Sequence, residues 1–199
     1  MSDHVTPSAP LEDENDDKND KEYNFVKDDN FYIHGLFDYS ISRIIIPKLT
    51  KVIDDRKLLK KPKPIKFYID SDGGYSSMVC ILLSLIEQAK KEGIEIHTYV
   101  FARAYSCGSL LACSGTKGKR FIGEYAEHLC HLGSTSTGRV YNITEADRMS
   151  DRVKRHFDMV KRIYKKYAKI TDLDKVIHDD NYFISGKDII ANGLADELI

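Results

Sequence analysis

No stretch of the sequence approaches the roughly 18 uninterrupted apolar residues that a membrane-spanning helix requires, which argues against such a span. The N-terminus has neither an apolar core nor a run of arginines, so no secretory signal or transit peptide is expected there. Charge of one sign is lacking as well. With 30 Lys and Arg against 31 Asp and Glu, the formal net charge is −1. No global field invites nucleic acid or an anionic membrane, although a local patch would escape this test. The four cysteines, Cys80, Cys107, Cys113 and Cys130, form no C-x-x-C pair. Reduced thiols in a cytoplasmic protein are the expectation.

What is present is ordinary for a globular chain: 199 residues, 42% of them hydrophobic, enough for one domain with a real core. Residues 1 to about 22 are polar and acidic and cannot bury enough surface to offset their ordering entropy. They read as a flexible tail, with a gate or docking arm as the functional alternative. A single domain would then span 23–199.

Phe31, Ile33 and Leu36 suggest a first strand. Ile41, Ile44, Ile45, Leu49, Val52 and Ile53 recur at helical spacing behind Ser40, a candidate N-cap. Pro47 in that segment predicts a later start or a bend. The basic run before Ile65 reads as a solvated connector. Ile65, Phe67 and Ile69 alternate as a strand running into Asp70-Ser71-Asp72-Gly73-Gly74. A buried helix follows from Met78 to Ala89, closed by Gly93, and then a strand through Ile94, Ile96 and Val100. This order is a βαβ unit, expected to be right-handed.

Beyond the turn at Arg103–Gly108, a short helix is expected at Ser109–Ser114 and strands near Arg120–Ile122 and His128–Leu132. Residues 133–142 read as an exposed excursion. Thr144 with Asp147 resembles a capping box for a long helix, with Met149, Val153, Phe157, Val160, Tyr164 and Tyr167 on one face. Ser185 with Asp188 is expected to cap a last helix that Gly193 closes. Strand–helix alternation of this kind indicates an α/β fold.

Three features could carry chemistry. Gly73-Gly74 between strand and helix would let a backbone approach a ligand closely, and the N–H groups there favour an anion. Ser106, in Ala-Tyr-Ser-Cys-Gly, lies at a strand-to-helix turn where a hydroxyl is held away from the core. A serine that merely caps the following helix is the competing reading. His131, in His-Leu-Cys-His-Leu-Gly, ends a short apolar strand, where an imidazole is suited to general-base work. His128 falls on the opposite strand face, so the two histidines do not form a metal pair.

From about Asn30 onward the chain resembles the proteolytic subunit of the Clp protease (caseinolytic protease family). FYIDSDGG is similar to the family's strand followed by N-S-P-G-G, with Asp70 for Asn and Asp72 for Pro. ARAYSCGSLLACSGTKGKRF resembles its nucleophile segment, EHLCHLG its histidine segment, and DNYFISGKDIIANGLADELI its closing segment. The resemblance implies an α/β fold of ClpP/crotonase-like repeated ββα units, with a protruding handle of long helix and strand at about 133–168.

It also implies a serine endopeptidase with Ser106 as nucleophile and His131 as base. The backbone N–H groups of Gly73, Gly74 and Cys107 would form the oxyanion hole, and no metal or cofactor is needed. The third member is Asp179 by this reading, with Asp174 and Asp180 as alternatives, since the family's own position falls on Ile177. Asp180 and Asn181 stand where the family has an Arg-Asp pair used in contacts between facing rings. The implied partners are unfolded polypeptide substrates, further copies of the chain in two stacked rings, and an AAA+ ATPase unfoldase. A catalytically silent ring subunit beside an active paralogue, a crotonase-like acyl-CoA site and a Cys107 or Cys130 nucleophile are the competing readings.

Overall fold

The computed structural model describes residues 23–133, 142–178 and 182–199. The N-terminal tail and most of the excursion at 133–142 therefore lie outside the described residues, as does the strand expected beside the long helix.

Strand β1 (Asn24–Lys27) turns back on β2 (Asn30–Phe37) through Asp28 and Asp29, whose φ values of 51° and 57° give the two-residue turn that suits a twisted hairpin. Sequence reading missed β1, because Asp-Asp is a weaker hairpin signal than Asn-Gly. Next, β3 (Ile65–Gly74) and β4 (Ile96–Tyr105) add in parallel. The first half of β4 pairs with β5 (Arg120–Ile122) and its second half with β6 (Glu127–Leu129). Beyond β5 lies β8 (Glu197–Leu198), and β7 (Phe183–Ser185) runs antiparallel to β6. The main path is β1-β2-β3-β4-β5-β8.

Alternate residues of β3 are buried, and so are those in the first half of β4, which puts one sheet face inside. Phe31, Ile33, Ile65, Phe67, Ile69, Ile96 and Val100 form that face and pack with α1 (Ile46–Arg56), α2 (Ser76–Lys91) and α3 (Cys107–Cys113) into one core. Each large apolar side chain buried there contributes roughly 1.5–3 kcal/mol. The other face carries a row of stacked rings. Phe25, Tyr32, Tyr68, Tyr99 and Phe121 follow one another across β1 to β5 with centroids 4.5–5.0 Å apart and planes within 17° of parallel.

Several helix ends differ from the sequence expectation for local reasons. Ser40 is helical and makes no cap; Asp38 accepts its N–H at 2.8 Å instead. A π-helical turn at Ile41–Ile45 follows, so Pro47 falls in the first turn of α1, where its missing N–H costs nothing. The long helix α4 (Ile143–Tyr167) is capped by Asn142, whose side chain accepts the Glu145 N–H at 2.9 Å, and not by Thr144. Ser185 ends β7, and Gly186 (φ 55°) precedes the short helix Lys187–Ala191 without a side-chain cap. The two glycine stops hold. The N–H of Ile94 returns to Ala89 and that of Gly93 to Lys90, and Leu194 and Gly193 repeat the pattern on Ile189 and Ile190.

Of the apolar face expected on α4, only Val160 and Tyr164 are fully buried. The N-terminal half projects, with Ile143 82% exposed. The C-terminal end is tied down by Arg120, only 6% exposed, which donates to the carbonyls of Tyr167 and Gly193 at 2.8 and 2.7 Å and to Asp196 at 2.7 Å. Among the described residues no helix is long and apolar enough to cross a membrane.

Candidate active site

The parallel strands β3 and β4 end side by side, and the loops that leave them make the site. Beyond Ile69 and Val100 the register slips, so that Ser71 faces Ala104. Arg103 spans this irregularity from β4, with ion pairs to Asp70 at 2.8 Å and Asp72 at 3.0 Å. These two carboxylates occupy the positions where the sequence departs from N-S-P-G-G.

Gly73 and Gly74 have φ of 104° and 136°, and each is required sterically as well as conformationally. A Cβ on Gly73 would sit 2.7 Å from the Ser106 Cβ, and one on Gly74 would sit 2.7 Å from the Phe37 nitrogen. The glycine pair is what lets the two strand ends close on each other. Gly73 donates its N–H to Ser71 Oγ at 3.1 Å, so the expected oxyanion donor at this residue is already engaged within the loop.

Ser106 joins β4 to α3 with φ 52° and ψ −115°, a conformation that costs a non-glycine residue roughly 1–3 kcal/mol. Its N–H is held by the Leu129 carbonyl at 2.9 Å. Its hydroxyl makes no cap to α3, so the capping reading does not apply.

His131 follows β6, which ends at Leu129, earlier than expected. It lines a cavity of about 560 Å³ together with Ser106, Gly74 and Cys107. His128 lies on the other side of the strand, fully buried, with Nδ1 3.1 Å from Ser109 Oγ. Burial, with a smaller contribution from the Arg120 charge, pushes it down to about 3. His128 is thus a neutral core histidine. Among the described residues no group of three His, Cys, Asp or Glu side chains is gathered as metal ligands.

Burial keeps the Cys107 and Cys130 thiols protonated at neutral pH. Cys107 Sγ lies 3.3 Å from the Gly74 carbonyl and burial pushes it up to about 12; Cys130 is pushed up to about 11 for the same reason. That removes the support for a cysteine nucleophile. Of the acids considered for the third position, Asp174 pairs with Lys161 at 2.7 Å. Asp179 and Asp180 lie outside the described residues.

Two residues of the cavity wall were not singled out from the sequence. Arg152 and His156 stand in the same α4 stripe as Met149 and Val160, all four facing the cavity. His156 Nε2 lies 3.2 Å from the Leu132 carbonyl, one residue beyond His131. The available signal was spacing, since Arg152 and His156 follow Met149 at helical intervals, but charged residues in an apolar stripe read as solvent-facing.

A hydroxyl on a strained strand-to-helix turn, a glycine pair packed against it and an imidazole across one cavity form an arrangement capable of acyl transfer at a carbonyl. The family model for Clp protease matches residues 16–199, and the chain belongs to that family. It is 33% identical over 144 residues to the ATP-dependent Clp protease proteolytic subunit 3 of Synechococcus sp. (strain CC9902), covering 69% of this chain and 67% of that protein. It is 28% identical over 144 residues to the ATP-dependent Clp protease proteolytic subunit 2 of Chlamydia trachomatis serovar D, covering 69% and 66%. Identity to the ATP-dependent Clp protease proteolytic subunit of Streptococcus pyogenes serotype M1 is 29% over 140 residues, covering 69% of each chain. The matches span about two thirds of the length of these relatives.

Proposed function

We propose that this chain is a serine endopeptidase that hydrolyses peptide bonds of unfolded polypeptides through an acyl-enzyme. The observation that carries the reading is the backbone of Ser106, held in a strained conformation on the rim of the cavity that His131 also lines. Strain at a polar residue with no capping role is retained where the geometry serves chemistry.

In the mechanism His131 takes the Ser106 proton as the hydroxyl attacks, then returns it to the leaving amine. The backbone N–H groups of Gly74 and Cys107 receive the oxyanion, each donor lowering the barrier by about 3 kcal/mol. Asp179 orients the imidazole. Chain connectivity supports this choice: Ile177, two residues before Asp179, accepts the Leu132 N–H at 3.0 Å, next to His131. The working form is an oligomer of stacked rings that encloses the sites and receives substrate from an AAA+ unfoldase. The stacked aromatic row supplies an apolar surface suited to protein contact.

A fluorophosphonate probe tests the reading. It is expected to modify Ser106 in the wild-type protein and to leave Ser106→Ala unmodified. Failure to label Ser106 under conditions that label an active relative would instead favour a silent ring subunit. Asp179→Asn is expected to slow labelling far more than Asp174→Asn.

A further inference from the structure

We propose that the cavity selects a peptide with an acidic side chain beside the cleaved bond, and that Arg152 is the residue that selects it. The proposal rests on the peptidase reading above and names its substrate class.

One wall of the cavity is a single stripe of α4, with Met149 and Val160 at its ends and Arg152 and His156 between them. Leu110 and Leu132 add apolar surface. The cavity's charge is therefore set by few groups. Among the described residues Asp72 is the carboxylate on the lining, and its charge is met by Arg103 at 3.0 Å, which also holds Asp70. Arg152 forms no ion pair among the described residues. Among the described residues the lining thus carries a solvent-exposed cation with no carboxylate of its own, beside the apolar side chains of Met149, Leu110 and Leu132.

Position is fixed as well as sign. His156, one helical turn beyond Arg152, lies 3.2 Å from the Leu132 carbonyl through Nε2. That contact ties α4 to the segment bearing His131, which sets where the helix carrying Arg152 lies relative to the reacting groups. A guanidinium on a fixed helix face binds a carboxylate with two parallel hydrogen bonds. An amide side chain at the same substrate position has no charge to offer, and a lysine is repelled.

The experiment uses the full chain and a set of internally quenched peptides, matched except for Glu, Gln or Lys at each position flanking the cleaved bond. Wild type is expected to prefer Glu over Gln by about fivefold in kcat/KM at one of these positions, the upper end of what a partly exposed charge pair supplies. The ratio should fall to about one in Arg152→Gln and reverse towards Lys in Arg152→Glu, with the preference weakening in high salt. Arg148→Glu, on the same helix but outside the lining, controls for general charge and should keep the wild-type ratio. Cleavage without a Glu preference, or a preference that survives Arg152→Glu, overturns the proposal and leaves the peptidase reading standing. Absence of cleavage of every peptide overturns it too. Fluorophosphonate labelling of Ser106 then decides whether the peptidase reading falls with it.

Discussion

At Ser106 the backbone angles cost free energy that a glycine would not pay. Ser106→Gly and Ser106→Ala both lose the hydroxyl, but only alanine keeps a Cβ in the strained region. The greater unfolded-state freedom of glycine takes back about 0.4–1 kcal/mol. The glycine variant is therefore expected to melt higher than the alanine variant, by the equivalent of about 1 kcal/mol, as calorimetry would show. Gly73→Ala should do the opposite. Its methyl meets the Ser106 Cβ at 2.7 Å, so a loss of about 1–3 kcal/mol and sharply slower fluorophosphonate labelling are expected. His128 gives a pH signature. It is neutral when folded and pushed down to about 3, so unfolding takes up a proton once the pH is below the unfolded value near 6.5. Its contribution to stability is complete above pH 6.5 and is lost as pH falls towards 3. Between pH 7.5 and pH 5, the urea midpoint of wild type should fall more than that of His128→Gln.

Much of the element order was legible, because period-two and helical spacing survive wherever one face is buried, as in β3 and α2. The glycines at 93 and 193 were readable stops, since each supplies the left-handed residue that closes its helix. What escaped had weaker local signals. Asn142 outcompeted Thr144 as a cap, and Asp28-Asp29 made a turn usually marked by glycine. In the candidate site, Ser106 and His131 stood out in the sequence through their order with Gly73-Gly74 across a length of chain resembling the family, and both line the same cavity, whereas Arg152 and His156 were hidden by their charge. Arg120 and Asp196 were also silent in the sequence, although they join β5, the end of α4 and the C-terminal strand. Burial acts to raise the Asp196 carboxyl, but the Arg120 hydrogen bonds outweigh it and hold the group below its ordinary value. Arg120→Met leaves Asp196 without its cation and should cost about 3–5 kcal/mol in urea unfolding. Because the Asp196 value is depressed, this stabilisation is present above the unfolded pKa near 3.9 and disappears as pH falls through the folded value.

For the molecule as a whole, the projecting half of α4 is the part that its own core does not use. Ile143, 82% exposed at the helix start, has little to gain from remaining apolar in an isolated chain. If α4 joins facing rings, Ile143→Asp should yield smaller assemblies in sedimentation velocity. The unfolding midpoint of the protomer should hold, because an acid in the first turn suits the helix dipole. The aromatic row on the open sheet face bears on how such experiments can be followed. The chain has no tryptophan, so its near-ultraviolet signal comes from tyrosine and phenylalanine. Tyr32, Tyr68 and Tyr99 are stacked at 4.9–5.0 Å on three adjacent strands, close enough for their transitions to couple. The native sheet therefore carries its own optical label: near-ultraviolet circular dichroism reports whether the strands are in register and whether another protein has covered them.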